Sequence, residues 1–282
     1  MKTTAIKTGV KRLIDAIVHS LGATSIGRFL YARITHTVME RTQTVRHGNV
    51  TLVFAIPNAL TKFRADTFST KEPETLEWID GMTTGSVVWD IGANVGLYTC
   101  YAAKARDCRV FAFEPSVFNL ELLARNIFSN GLTHRATIVP LPLSDELSLN
   151  TLNLTTTEWG GAMSTFGHDY GHDGRTLQRV FAYPTVGLSM VDAMQLMRIP
   201  QPDHIKMDVD GIEHLILKGG IPVLRAAKSV LIEINDEFDV QAGDAGRYLR
   251  DAGLSLKAKR HADCFDSATS PAKRTFNQIW CK

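Results

Sequence analysis

Carboxylates stand where hydrophobic runs end in this chain. In VVWDIGANVGLYTC, residues 87–100, Val87, Val88 and Trp89 lead into Asp90, and Gly92, Asn94 and Gly96 follow at once. In CRVFAFEP, residues 108–115, Glu114 closes another apolar run. In HIKMDVDGIEH, residues 204–214, His204, Lys206, Asp208 and Asp210 alternate with Ile205, Met207 and Val209. Burying a charge is costly unless something compensates it, so each place raises the question of a partner.

For the first, the partner reads as a ligand. A glycine-rich turn lets the main chain approach a bound molecule, and the helix after it offers free N–H groups. Dinucleotide enzymes place G-x-G-x-x-G at this turn. Here the pattern is D-x-G-x-N-x-G, and Asp90 would repel a pyrophosphate. A phosphate-free cation suits it better, and S-adenosylmethionine carries an ammonium and a sulfonium. An acid at the position of Glu114 accepts ribose hydroxyls, whether the ligand is NAD or S-adenosylmethionine. Ser144 and Asp145, after the next apolar run, stand where an adenine amino group could be met. The structural alternatives are that Asp90 caps the next helix, Glu114 is a surface carboxylate and Ser144–Asp145 is an ordinary turn.

The polar file of residues 204–210 needs its own reason, because central strands of a parallel sheet are apolar on both faces. Lys206 and Asp208 could simply pair. Alternatively Asp208, Asp210 and Glu213 face a substrate at the strand end, where they could orient a hydroxyl, take its proton or hold a divalent metal. Glu233 and Asn235 end the neighbouring run SVLIEIN. Carboxylates and an amide on adjacent strand ends suit Mg²⁺, Ca²⁺ or a polyol. His168 and His172 lie in GHDYGHDG, whose three glycines argue against a helix. That stretch reads as part of a lid over residues 155–184, with either histidine available as a base on closure.

The elements that must hold these residues alternate. A strand is expected near 49–55, a helix within 69–81, then strand 87–91, helix 95–106, strand 108–115, helix 116–131 and strand 136–144. A short helix capped by Ser189, strand 204–209, helix 211–218, strand 229–235, a helix near 244–252 and a final strand pair complete the pattern. Such a rhythm implies a parallel sheet with helices on both faces.

The whole is 282 residues with net charge +2, ordinary for a globular chain. Cys100, Cys108, Cys264 and Cys281 form no CxxC pair, which suggests a reduced, cytoplasmic setting. No nucleic-acid partner is expected. No run of 18 apolar residues is present. Residues 6–21 put Ile6, Val10, Leu13, Ile14, Ile17, Val18 and Leu21 on one stripe beside Lys7, Lys11 and Arg12. This helix is expected to pack on the domain or on a partner chain; a basic amphipathic helix can also rest on an anionic membrane.

Taken together, FSTKEPETLEWID, VVWDIGANVGLYT, VFAFEPSVFNLELLARNIFSNG, the LSD at 143–145 and IKMDVDGIEHLILKGG resemble the FkbM family of S-adenosylmethionine-dependent methyltransferases. The resemblance implies a class I fold, a Rossmann-like doubly wound α/β sheet of seven strands with the last antiparallel. It implies methyl transfer to a hydroxyl of a sugar, glycan or other natural product. Cofactor roles fall on Asp90, Gly92, Asn94, Gly96 and Glu114. Asp210 stands where a glutamate is more usual. Residues 1–60 are then an extension and 61–282 the methyltransferase domain. Asp208, locked by Lys206, is the first candidate for base, with Asp210 beside it; Glu213, Glu233, Asn235 and His168 are candidates for the acceptor. The competing readings are an NAD-dependent oxidoreductase, disfavoured by Asp90, and a non-catalytic interaction or membrane-docking module.

Overall fold

Two helices, α1 (Lys2–Gly22) and α2 (Ser25–Met39), open the chain, and Thr24 caps the second by accepting the Gly27 N–H. The structure is a computed structural model that describes residues 2–261 and 274–282; Cys264 lies outside them. The stripe on α1 is present but not buried: Val10, Leu13, Ile14, Ile17, Val18 and Leu21 are all exposed, and α1 packs against α2. Among the described residues the stripe expected to pack on the domain is thus left uncovered. No helix among the described residues is long and apolar enough to cross a membrane.

A hairpin follows, β1 (Thr42–His47) and β2 (Val50–Ala55), then α3 (Ala59–Asp66) behind an Asn58–Thr61 capping box and α4 (Pro73–Asp80). Leu52, Phe54 and Ile56 join one hydrophobic core with Leu76 and Ile79. The alternating part comes next: β3 (Val87–Ile91), α5 (Leu97–Ala105), β4 (Arg109–Phe113), α6 (Val117–Ser129) and β5 (Ala136–Val139). The last is shorter than expected; Pro140 and Pro142, which lack an N–H, stand where the ladder would continue. β6 (Ser148–Leu154), β7 (Ser164–Phe166) and β8 (Phe181–Gly187) form a separate antiparallel sheet in the order β7-β6-β8. Residues 155–184, expected as a loop insertion, thus carry strand structure at 164–166 and again at 181–184.

The chain returns through α7 (Met190–Met197), where Ser189 and Asp192 make the expected capping box, to β9 (His204–Met207). That strand stops two residues early because Asp210 and Gly211 both turn to positive φ, 62° and 132°. Then come α8 (Glu213–Lys218), α9 (Ile221–Ala226), β10 (Ser229–Asn235), α10 (Asp239–Asp251), β11 (Ser255–Arg260) and β12 (Thr275–Cys281).

The large sheet has seven strands in the order β11-β12-β10-β9-β3-β4-β5. All neighbours are parallel except β12, which runs antiparallel to both β10 and β11. One face buries Trp89, Ile91, Phe111, Phe113, Ile205 and Met207; the other buries Val88, Val110 and Ala112 against α5 and α6. Each such large side chain contributes roughly 1.5–3 kcal/mol. Strand order reverses between β3 and β9. The crevice outside the carboxyl ends of these two strands is where open α/β sheets bind ligands.

Candidate active site

Two glycines shape the turn after β3. Gly92 has φ +81°, and a Cβ there would stand 1.8 Å from the Asp208 carbonyl oxygen. Only a bare backbone lets this turn pass the end of β9. Gly96, at φ +80°, precedes α5, and its missing Cβ leaves room for Leu123 of α6. Between them Asn94, also left-handed, donates its N–H to Glu114 Oε2 at 2.8 Å and its amide Nδ2 to the Gly161 carbonyl at 2.7 Å. Glu114 Oε1 accepts the Ser116 N–H at 2.8 Å. Burial nonetheless pushes the Glu114 carboxyl up to about 7, against these donors.

A cavity opens over this turn. Phe113, Leu141, Pro142, Leu143 and Phe166 make its apolar walls, and Glu114, Asp208 and Asp210 its charged ones; among the described residues no Lys or Arg lines it. Asn119 and Gly161 close its rim. Asn119 Oδ1 accepts the Gly160 N–H at 3.0 Å, while its Nδ2 donates to the Gly161 carbonyl at 3.0 Å.

At the end of β9 the charges are interlocked. Buried Lys206 donates to Asp208 Oδ2 at 3.2 Å and lies 5.3 Å from the Tyr98 ring centroid. Asp90 is its register neighbour on β3. Burial works to lower the Lys206 pKa, but the charges of Asp208, Asp90 and Glu72 raise it overall. Burial alone would raise Asp208; Lys206, then Lys71, hold it below the ordinary carboxylate range. Asp210 goes the other way: burial, then the Asp208 charge, lift it to about 6 while it accepts the Met163 N–H at 2.6 Å. Glu233 is raised well above its ordinary value by burial and by Asp208. Carboxylate oxygens of Asp208, Asp210 and Glu233 lie within 4.8 Å of one another.

Other candidates take different places. Asp90 is buried beneath the turn and lines no part of the cavity; its Oδ2 accepts the Thr99 hydroxyl and Oδ1 has no partner. Ser144 and Asp145 also stand off the cavity, because Lys218 of α8 donates to Asp145 Oδ2 at 2.8 Å and Gly219 packs on their backbone. Glu213 accepts the N–H groups of Val209 and Gly211 at 3.1 and 3.0 Å and a Gln241 amide hydrogen, which spends it on shaping the loop after β9. Asn235 donates to the His172 carbonyl and accepts the Glu237 N–H. His168 packs on the Tyr170 ring, 5.0 Å between centroids, away from the cavity.

S-adenosylmethionine fits what is present. Three carboxylates without a cation would repel a diphosphate, whereas an uncharged nucleoside with a sulfonium matches them. Such a site at the switch point of this strand order is that of a class I methyltransferase fold. The family model described as Methyltransferase FkbM domain matches residues 90–256, and the chain belongs to that family.

The hexuronic acid methyltransferase AglP of Haloferax volcanii is 27% identical over 171 residues, 61% of this chain and 64% of that protein. The crystal structure of methyltransferase FkbM from Methylobacillus flagellatus KT aligns with a TM-score of 0.50 at 15% identity, covering 93% of this chain and 60% of that one. That likeness shows the fold. The chain thus spans less than two thirds of either relative's length.

Proposed function

We propose that the chain methylates a hydroxyl oxygen of a sugar or glycan, with a uronic acid as the favoured acceptor class. The observation that carries this is Asp208, kept as a carboxylate by Lys206 on the cavity wall at the sheet's switch point. The likeness to a hexuronic acid methyltransferase supports the acceptor class.

When bound, S-adenosylmethionine supplies an electrophilic methyl group and leaves as a neutral thioether. Gly92 and Asn94 present backbone to it, and Glu114 receives its ribose hydroxyls. Asp208 accepts the acceptor's hydroxyl proton as the oxygen becomes a nucleophile. Asp210 and Glu233, both raised above the ordinary carboxylate range by burial and by Asp208, orient neighbouring hydroxyls. Holding both reactants in line is worth up to roughly 7–11 kcal/mol. The segment of Gly161, Ala162 and Ser164, which lines the cavity, limits the access of water.

The primary test is calorimetric binding of S-adenosylmethionine, followed by S-adenosylhomocysteine release with glucuronides and glucosides as acceptors. Failure to bind the cofactor would sink the proposal. Glu114→Gln is expected to weaken cofactor binding about tenfold or more, since one charge-assisted acceptor is replaced by a donor that opposes the Asn94 N–H. An unchanged affinity would remove Glu114 from the ribose.

The cluster of Asp208, Asp210 and Glu233 favours a second reading, in which these oxygens hold a divalent cation that acidifies the hydroxyl. Dialysis against EDTA separates the two. Base catalysis by Asp208 predicts full turnover afterwards; loss restored by Mg²⁺ would assign the cluster to the cation.

A further inference from the structure

A second cavity, of about 490 Å³, opens beside the first and shares Gly92, Asn94 and Asp208 with it. Its near wall is the turn and the first residues of α5, and its far wall carries Arg64 of α3 with Lys71 and Glu72. The two cavities differ in charge. The first has three carboxylates and no cation; the second sets Arg64, Lys71 and Lys206 against Glu72 and Asp208.

Two of these cations are matched inside the wall. Lys71 Nζ lies 2.8 Å from Glu72 Oε1, and Lys206 Nζ 3.2 Å from Asp208 Oδ2. Arg64 is half-buried and donates its Nε to the Gly160 carbonyl at 2.9 Å. Its two terminal nitrogens make no hydrogen bond with the described residues, and Arg64 lines the cavity, which leaves the guanidinium fork available to a ligand there. A planar fork of this kind matches a carboxylate.

A molecule lying across both cavities must therefore be apolar with ribose hydroxyls at one end, tolerate carboxylates in the middle and carry an anion at the other end. The amino-terminal end of α5, which lines the same cavity through Leu97 and Tyr98, favours the same polarity. We infer that Arg64 receives the carboxylate of the amino-acid end of S-adenosylmethionine, whose nucleoside occupies the first cavity. This rests on the cofactor reading above and adds to it a residue 26 positions before Asp90, outside the matched family region. The competing role for Arg64 is to offset Asp208 and Asp210, whose ionised forms it favours.

Four probes distinguish these: S-adenosylmethionine, its decarboxylated analogue, S-adenosylhomocysteine and 5′-methylthioadenosine, each titrated calorimetrically into the wild type, Arg64→Gln and Arg64→Lys. The inference requires Arg64→Gln to lose about 10–100-fold in affinity for the two ligands that bear the carboxylate. The decarboxylated analogue and 5′-methylthioadenosine should change by no more than about threefold. Arg64→Lys should fall between, since it keeps the charge and loses the fork.

Equal weakening of all four ligands would overturn the inference, because it would place Arg64 in the architecture through Gly160. Unchanged or tighter binding of S-adenosylmethionine would overturn it in favour of the offsetting role. A wild type that binds none of the four would overturn the cofactor reading itself, and the inference with it.

Discussion

Asp208→Asn should lower kcat by about 10²–10⁴-fold, the range a positioned general base contributes, while affinity for S-adenosylmethionine stays within about threefold. The substitution keeps the size and the hydrogen bond from Lys206 but removes the site for a proton. Calorimetry and single-turnover rates measured on one preparation check both halves. Joint loss of binding and turnover would make Asp208 a structural residue. The pH profile adds a sign. Asp208 lies below the ordinary carboxylate range, so it stays ionised as pH falls through 6. Asp210, at about 6, and Glu114, at about 7, take up protons first. Activity of the wild type should thus decline on the acid side with an apparent pKa between about 6 and 7, and Asp210→Asn should remove the lower of the two steps.

The parts of the site that sequence reveals are those where local rules conflict. An acid that ends an apolar strand is visible at Asp90 and Glu114, and a polar file inside a parallel strand is visible at Lys206 and Asp208. The same conflict marks the strands, so β3 and β10 appear where they were expected. β1 is not legible, because its residues alternate between exposed and half-buried with no apolar contrast. Asn119 is hidden in the apolar stripe of α6, although it closes the cavity rim. Arg64 is reached only through a contact with Gly160, 96 residues away. Asp145, expected beside an adenine, is engaged by Lys218 of α8, 73 residues away. In each case the deciding fact is a long-range neighbour, which strand and helix periodicity does not report.

Lys206→Met should destabilise the protein by about 3–5 kcal/mol, the cost of leaving buried charge unpaired. Lys206 is 3% exposed and donates to Asp208, with the charge of Lys71 as a second, weaker compensation. It is also the nearest compensation in the sheet for Asp90, whose Oδ1 has no partner. Methionine fills much of the same space, so the loss is electrostatic rather than a cavity. The pH dependence fixes the cause. With the ammonium present, the lowered Asp208 pKa contributes stability that is full above the ordinary carboxylate pKa and is lost as pH falls through the lower folded value. Without it, burial of Asp90 and Asp208 is opposed less and both carboxyls shift upward, so the variant's deficit grows as pH rises past about 4. Urea unfolding should therefore show a larger deficit at pH 7.5 than at pH 4.5. Adding Asp208→Asn to Lys206→Met should recover part of it, because the two residues are coupled. A deficit independent of pH, or a double variant that merely sums the single ones, would mean that Lys206 stabilises β9 through its aliphatic stem and leaves Asp208 to hold its charge unaided.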